Sequence, residues 1–264
     1  MTMDEVRALL RSEAADPEAV AALAEDPRKG VQKLLAAYLR RMEREQAELA
    51  RVEALYKWES ECYKKGIRCV AGIDEVGRGP LAGPVTVAAV ILPPHWFAKG
   101  LNDSKKVLPK QRERLSEEIR RDAMAVSIVS LSPEEIDAQN IYEATMTAMY
   151  EAVKQLPVRP EAVIVDAMPL HFSVPTLSLV HGDAQSASVA AASIVAKVHR
   201  DRLMDEYDKI YPEYGLARNK GYGTAEHIAA IEQYGITPIH RKSFEPVRSM
   251  LVEGRAHFYI AKET

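Results

Sequence analysis

The sequence predicts an α/β fold, a mixed β-sheet flanked by helices and preceded by an all-helical N-terminal extension. Three observations predict it. Residues 1–68 repeat apolar residues at helical spacing and open two segments with acid–proline pairs. From Cys69 onward, apolar runs of strand length appear. Those runs first succeed one another and then alternate with helical patterns, the order expected of a sheet with antiparallel and parallel pairs. The chain has 264 residues, 47% hydrophobic and 28% charged, so it can bury a sizeable core. Its length suits one large domain, or one domain with an appendage, and we expect the boundary at 68/69.

In the extension, Asp16-Pro17-Glu18 and Asp26-Pro27-Arg28 each place an N-cap acceptor before a proline at the first helical position. The first helix should bury Val6, Leu9 and Leu10, the second Val20 and Leu23. A third, from Val31 to Lys65, keeps Val31, Leu34, Leu35, Tyr38, Leu39, Met42, Leu49, Val52 and Tyr56 on one stripe. At ~1.5 Å per residue it would run about 50 Å. Its other face interleaves Arg40, Arg41, Arg44 and Arg51 with Glu43, Glu45, Glu48 and Glu53. That face reads as solvated helix laced with short-range ion pairs, or as an accessory contact to substrate or partner.

Strands are expected at 69–74, 85–92, 123–131, 162–166 and 176–180. Ser132-Pro133-Glu134-Glu135 opens a helix that continues from Asn140 to about Leu156. Further helices are expected at 185–207 and 225–233.

Composition excludes several classes. No apolar run reaches the ~18–20 residues of a membrane span, and the N-terminus lacks the apolar core of a signal peptide. Two cysteines, Cys62 and Cys69, make neither a disulfide scaffold nor a four-cysteine zinc site, so a reducing cytoplasm is expected. A net charge of −3 argues against a basic nucleic-acid-coating protein. A nuclease stays open, because an acidic metal site offsets basic patches.

Three apolar strands run into carboxylates: Ile73-Asp74-Glu75, Val165-Asp166, and Leu179-Val180-His181-Gly182-Asp183. Acids at strand ends sit at the sheet edge, where crevices form. Clustered carboxylates repel and raise one another's pKa, and divalent cations usually hold them ionised; oxygen-only donors select hard ions such as Mg²⁺ or Mn²⁺. Each acid also has a plainer reading: Asp183 as a helix N-cap, Asp166 and Asp74-Glu75 as turn residues. Adjacent strand residues face opposite ways, so Asp74 and Glu75 can share a site only if the strand breaks between them.

Glu75-Val76-Gly77-Arg78-Gly79-Pro80-Leu81-Ala82-Gly83-Pro84 follows at once. It is neither a dinucleotide fingerprint nor a P-loop. Two glycines around an arginine allow close backbone approach to a ligand while Arg78 holds a phosphate. Alone, it would be a tight turn with a surface arginine.

With this loop, Gly72 to Val85 resembles the signature of the type 2 ribonucleases H, bacterial ribonuclease HII. Asn102-Asp103-Ser104-Lys105-Lys106, Val165-Asp166-Ala167, Gly182-Asp183, Ala191 to Val198, Tyr211-Pro212 and Gly221-Tyr222-Gly223-Thr224 match in order. The likeness covers about Val70 to Leu251, and Arg78 favours HII over the paralogous HIII. It implies an RNase H-like fold. The family's four catalytic acids then fall on Asp74, Glu75, Asp166 and Asp183, holding two Mg²⁺ or Mn²⁺ ions. Gly77, Arg78 and Gly79 would read the ribose 2′-hydroxyl, Tyr222 would pack on the sugar beside the junction, and Ser104, Lys105 and Lys197 would touch phosphates. Lys106 could share that duty, and Arg241 with Lys242 adds a basic C-terminal patch.

The implied activity is cleavage of the RNA strand of RNA–DNA hybrids and cutting 5′ of single ribonucleotides in duplex DNA, by a monomer with no membrane contact. No clamp-binding peptide is recognisable at the C-terminus. Three other readings stand beside it. A glycosidase carboxylate pair is disfavoured by 6% aromatic content and an idle Arg78. A non-catalytic hybrid-binding module would leave four acids without paired arginines. Another RNase H-like nuclease would share the acids but not the Gly-Arg-Gly loop.

Overall fold

The computed structural model describes residues 1–12 and 15–260. The chain divides into two compact units, Met1–Arg51 and Val52–Thr264. In the first, α1 (Met3–Arg11) carries a capping box between Thr2 and Glu5, and α2 (Pro17–Ala22) is capped by Asp16 with proline at its start. Val6, Leu10, Leu23, Val31 and Leu35 form this unit's core, with Leu9 and Val20 only partly buried around it.

The expected single helix from Val31 to Lys65 is two, α3 (Lys29–Leu55) and α4 (Lys57–Lys64). Packing breaks it at Tyr56. That ring is drawn into the core of the second unit, and its hydroxyl donates to the Trp96 carbonyl at 2.6 Å. Leu39 and Leu49, assigned to the apolar stripe, are exposed. The two compact units divide within α3, and in the second of them Trp58, Cys62 and Tyr63 of α4 pack against Val70, Ile164 and Val189.

The second unit is built on five strands: β1 (Val70–Val76), β2 (Val85–Ile91), β3 (Ala125–Leu131), β4 (Ala162–Asp166) and β5 (Thr176–Leu179). Their order is β3-β2-β1-β4-β5. β1 and β3 run antiparallel to β2, while β1, β4 and β5 run parallel. The carboxyl ends of the three parallel strands therefore share one edge.

Alternation along the strands gives the sheet two apolar faces. Ala71, Ile73, Val87, Ala89 and Val165 pack against α7 (Ile141–Lys154). Ala88 and Val90 pack against α5 (Pro109–Asp122) and the alanine-rich start of α8 (Ala187–Ile210). The helix expected across Asn140 is interrupted there. Asn140 takes φ +70 after α6 (Pro133–Gln139), and its side chain accepts the N–H groups of Tyr142 and Glu143 to start α7.

A third apolar cluster joins Met204 near the end of α8 to α10 (Ala225–Tyr234) and α11 (Val247–Val252), with the short α9 (Leu216–Asn219) between. Among the described residues, no helix is long and apolar enough to cross a membrane.

Candidate functional site

The carboxylates gather at the shared edge of β1, β4 and β5. β1 does not break between Asp74 and Glu75; both lie within it, opposite Ala88 and Val87 of β2. The expectation of a break is corrected by the register. Asp74 continues the α8-facing row and its Oδ1 accepts the Glu75 N–H at 2.8 Å, while Glu75 continues the α7-facing row. They serve the edge from opposite faces of one strand. β4 ends at Asp166, one step beyond the pairing of Ile73 with Val165.

Both later acids are delivered by strained turns. Ala167 after Asp166 has φ +47, and His181 before the Gly182–Ala184 turn has φ +58. Gly182 donates its N–H to Asp166 Oδ1 at 2.6 Å, which ties the Asp183 turn to β4.

Asp166 acts electrostatically on each of the other three acids. Burial, then the charges of Glu75 and Asp166, push the Asp74 carboxyl well above its usual range. Burial raises Glu75 as well, opposed by Arg78, whose Nη1 lies 3.4 Å from Glu75 Oε1. Asp183 is pushed up to about 6 by burial, by Asp103 and by Asp166.

Asp103 is a fifth carboxylate, close enough for its charge to act on Asp183, that sequence reasoning missed. Asn102-Asp103-Ser104 looks like a turn, and Asp103 Oδ1 does accept the Lys105 N–H at 2.8 Å. Nothing in that stretch points to a partner so far along the chain. Ser193 was missed for the same reason.

The donor chemistry suits a hard divalent cation. The site offers carboxylates without thiolate or imidazole, and Glu75 Oε2 is buried with no hydrogen-bond partner among the described residues. Their shared repulsion is what a divalent charge would relieve. Among the described residues, no three His, Cys, Asp or Glu side chains stand grouped so that they could hold a metal ion as they are placed here.

The glycine loop lies against the same edge. Gly77 has φ +88, and a Cβ there would fall 2.2 Å from Arg200 Nε, so only glycine fits. The side chain of Arg78 is 40% exposed between Glu75 and Met168. A methyl on Gly79 would lie 3.6 Å from Tyr222 Cε1, so the exposed Tyr222 ring stands beside this exposed glycine.

The expected phosphate contacts divide. Lys105 is exposed. Ser104 is buried and accepts a hydrogen bond from Ser193 Oγ at 2.8 Å, which places it behind Asp74. Lys197 is half-buried and paired with Asp201 at 2.6 Å, and burial lowers its pKa. The basic C-terminal patch is corrected, because Arg241 is fully buried beneath the glycine loop while Lys242 stays at the surface.

A mixed sheet bearing carboxylates at its parallel edge beside a Gly-Arg-Gly turn defines an RNase H-like nuclease. The family profile described as Ribonuclease HII matches residues 71–247, and that of the Ribonuclease HII N-terminal domain matches residues 2–63. The chain is 51% identical over 250 residues to Ribonuclease HII of Geobacillus kaustophilus (strain HTA426), covering 95% of this chain and 96% of that protein. It is 53% identical over 229 residues to Ribonuclease HII of Geobacillus thermodenitrificans (strain NG80-2), covering 87% and 88%. Among solved structures, ribonuclease H2 from Pyrococcus horikoshii OT3 superposes with a TM-score of 0.63 at 26% identity, over 71% of this chain and 99% of that one. The chain belongs to the ribonuclease HII family and is an endoribonuclease.

Proposed function

We propose that this endoribonuclease cleaves the RNA strand of RNA–DNA hybrids and cuts 5′ of single ribonucleotides embedded in duplex DNA, leaving 5′-phosphate and 3′-hydroxyl ends. The observation that supports it most is the meeting of four strand-end carboxylates with a glycine loop that has Tyr222 beside it. Asp74, Glu75, Asp166 and Asp183 would hold a pair of Mg²⁺ or Mn²⁺ ions. Such ions, when bound, supply Lewis-acid activation of water and neutralise charge on the scissile phosphate and the leaving 3′-oxygen.

The chain's own residues do the rest. The Glu75 N–H orients the Asp74 carboxylate. The Gly182 N–H orients Asp166. Gly77, Arg78 and Gly79 meet the ribose 2′-hydroxyl, the group that distinguishes RNA from DNA. Tyr222 packs on the neighbouring sugar, and Lys105 meets a phosphate. Residues 69–264 carry the chemistry in a cytoplasmic setting, and residues 1–68 are accessory.

A duplex bearing one ribonucleotide, assayed with Mn²⁺ or with EDTA, tests this reading. Cutting should require the metal and should not occur on an all-DNA duplex. Undiminished cutting in EDTA, or equal cutting of both duplexes, overturns it. Asp74→Asn should lose at least about a hundredfold in turnover while keeping most substrate affinity, because it removes charge and not shape. Near-normal turnover would contradict the assignment.

A further inference from the structure

Two arginines lie buried beneath the glycine loop, and neither forms an ion pair with a carboxylate among the described residues. Arg241 donates to the carbonyls of Gly77 at 2.5 Å, Arg78 at 2.9 Å, and Gly83 at 2.8 and 3.0 Å. Arg200, on α8, donates to the carbonyls of Pro84 at 3.0 Å, Ala82 at 3.1 Å and Lys220 at 3.0 Å. Burying an unpaired guanidinium is expensive unless its donors are matched. Here backbone carbonyls match them, and the planar fork of donors suits several carbonyls at once.

The consequence follows from peptide geometry. In a planar trans peptide the C=O and the following N–H point in opposite directions. Turning the Gly77 and Arg78 carbonyls down onto Arg241 turns the Arg78 and Gly79 N–H groups away from it. Neither N–H donates to a backbone or side-chain acceptor among the described residues. Tyr222 stands beside the exposed Gly79, and Arg200 also holds Lys220, which precedes the Gly221-Tyr222 turn. Leu81 and Ala82 donate to the Gly221 carbonyl, so both loops hang on the same two guanidiniums.

We infer that Arg241 and Arg200 are positioning residues for ribose discrimination. They hold the loop carbonyls inward, so that two N–H donors face out toward the oxygen of a ribose 2′-hydroxyl while Tyr222 stays in place beside them. The inference rests on the proposed reading of the glycine loop, and it assigns the work of shaping that loop to residues that never touch the substrate. Lysine cannot replace either arginine, because one ammonium cannot meet carbonyls spread along a guanidinium plane.

The test compares full-length wild type, Arg241→Lys and Arg200→Lys. Affinity is measured in Ca²⁺ for a duplex with one ribonucleotide and for its all-DNA counterpart; KM and kcat follow in Mg²⁺. Each lysine variant should weaken binding of the ribonucleotide duplex by about tenfold or more, the effect of losing hydrogen bonds to a charged group. Affinity for the all-DNA duplex should stay within about twofold, and KM should rise more than kcat falls. An equal loss on both duplexes would show a merely structural role and overturn the inference. Retained discrimination in folded lysine variants, with the wild type discriminating to the same extent, would overturn it while leaving the loop reading intact. Equal affinity of the wild type for both duplexes would overturn the loop reading itself. If the lysine variants do not fold, the wild type decides: the arginine Nε–H resonances of Arg200 and Arg241 should shift with the ribonucleotide duplex and not with the all-DNA duplex. Unchanged resonances would overturn the inference.

Discussion

Glu59 shows how one buried side chain can be read physically without belonging to the site. It lies on α4, fully buried, and its Oε1 accepts the Ser186 hydroxyl at 2.5 Å and the Ser188 N–H at 2.9 Å, where α8 begins. Its Oε2 has no hydrogen-bond partner among the described residues. Burial raises its pKa despite those bonds. A carboxyl whose folded pKa lies above its unfolded value of about 4.3 favours the fold most when protonated. That contribution is complete below the unfolded pKa and is lost as pH rises through the folded one. Glu59→Gln, which cannot ionise, should therefore raise the melting temperature relative to wild type at pH 8 and change it little at pH 4.5. A variant less stable than wild type by the same amount at both pH values would contradict this. The four acids at the edge were legible as residues because each ends an apolar run. Ser193 and Asp103 were not, because their partners are set by packing and not by spacing.

Among the elements, the pairing of α8 with β1 controls the site. α8 is buried on nearly every side at its start, where Ala187, Ala190, Ala191 and Ala192 let it approach the sheet. The approach is closest at Gly72, where a Cβ would stand 2.1 Å from the Ser188 carbonyl carbon. Gly72→Ala must push α8 off β1, and with it Ser193 from Asp74. We expect a loss of about 3 kcal/mol in urea unfolding, the upper range for overpacking a core, together with reduced cleavage. An unchanged unfolding midpoint would show that the helix can yield there. Periodicity located α8, α10 and all five strands within a few residues, because apolar spacing and cap residues are local signals. It missed the breaks at Tyr56 and Asn140, where one tyrosine finds a distant carbonyl and one asparagine caps the next helix. It also left α5, α9 and α11 without assignment.

Over the whole chain, the structure changes where a truncation should be made. Starting at Val52 removes one compact unit, whereas starting at Cys69 also removes α4, with Glu59, Trp58 and Tyr63. The 52–264 fragment should melt cooperatively and keep metal-dependent cleavage. The 69–264 fragment should lose several kcal/mol of stability, as expected when large buried side chains are stripped from a core. Equal melting temperatures for the two fragments would show α4 to be dispensable. Hybrid affinity of the 52–264 fragment at two salt concentrations then measures the first unit's phosphate contacts, since each one lost makes the salt dependence shallower. From residues alone came the α/β class, the helical extension, the strand-end acids and the glycine loop, since each is a pattern over a few neighbouring positions. Folding alone decided that Asp74 and Glu75 serve the edge from opposite faces of one strand, that Ser104 lies behind Asp74, and that Arg241 is an internal anchor. Those outcomes depend on strand register and on which distant groups become neighbours in a dry interior, where an unmatched charge or carbonyl is too costly to leave alone.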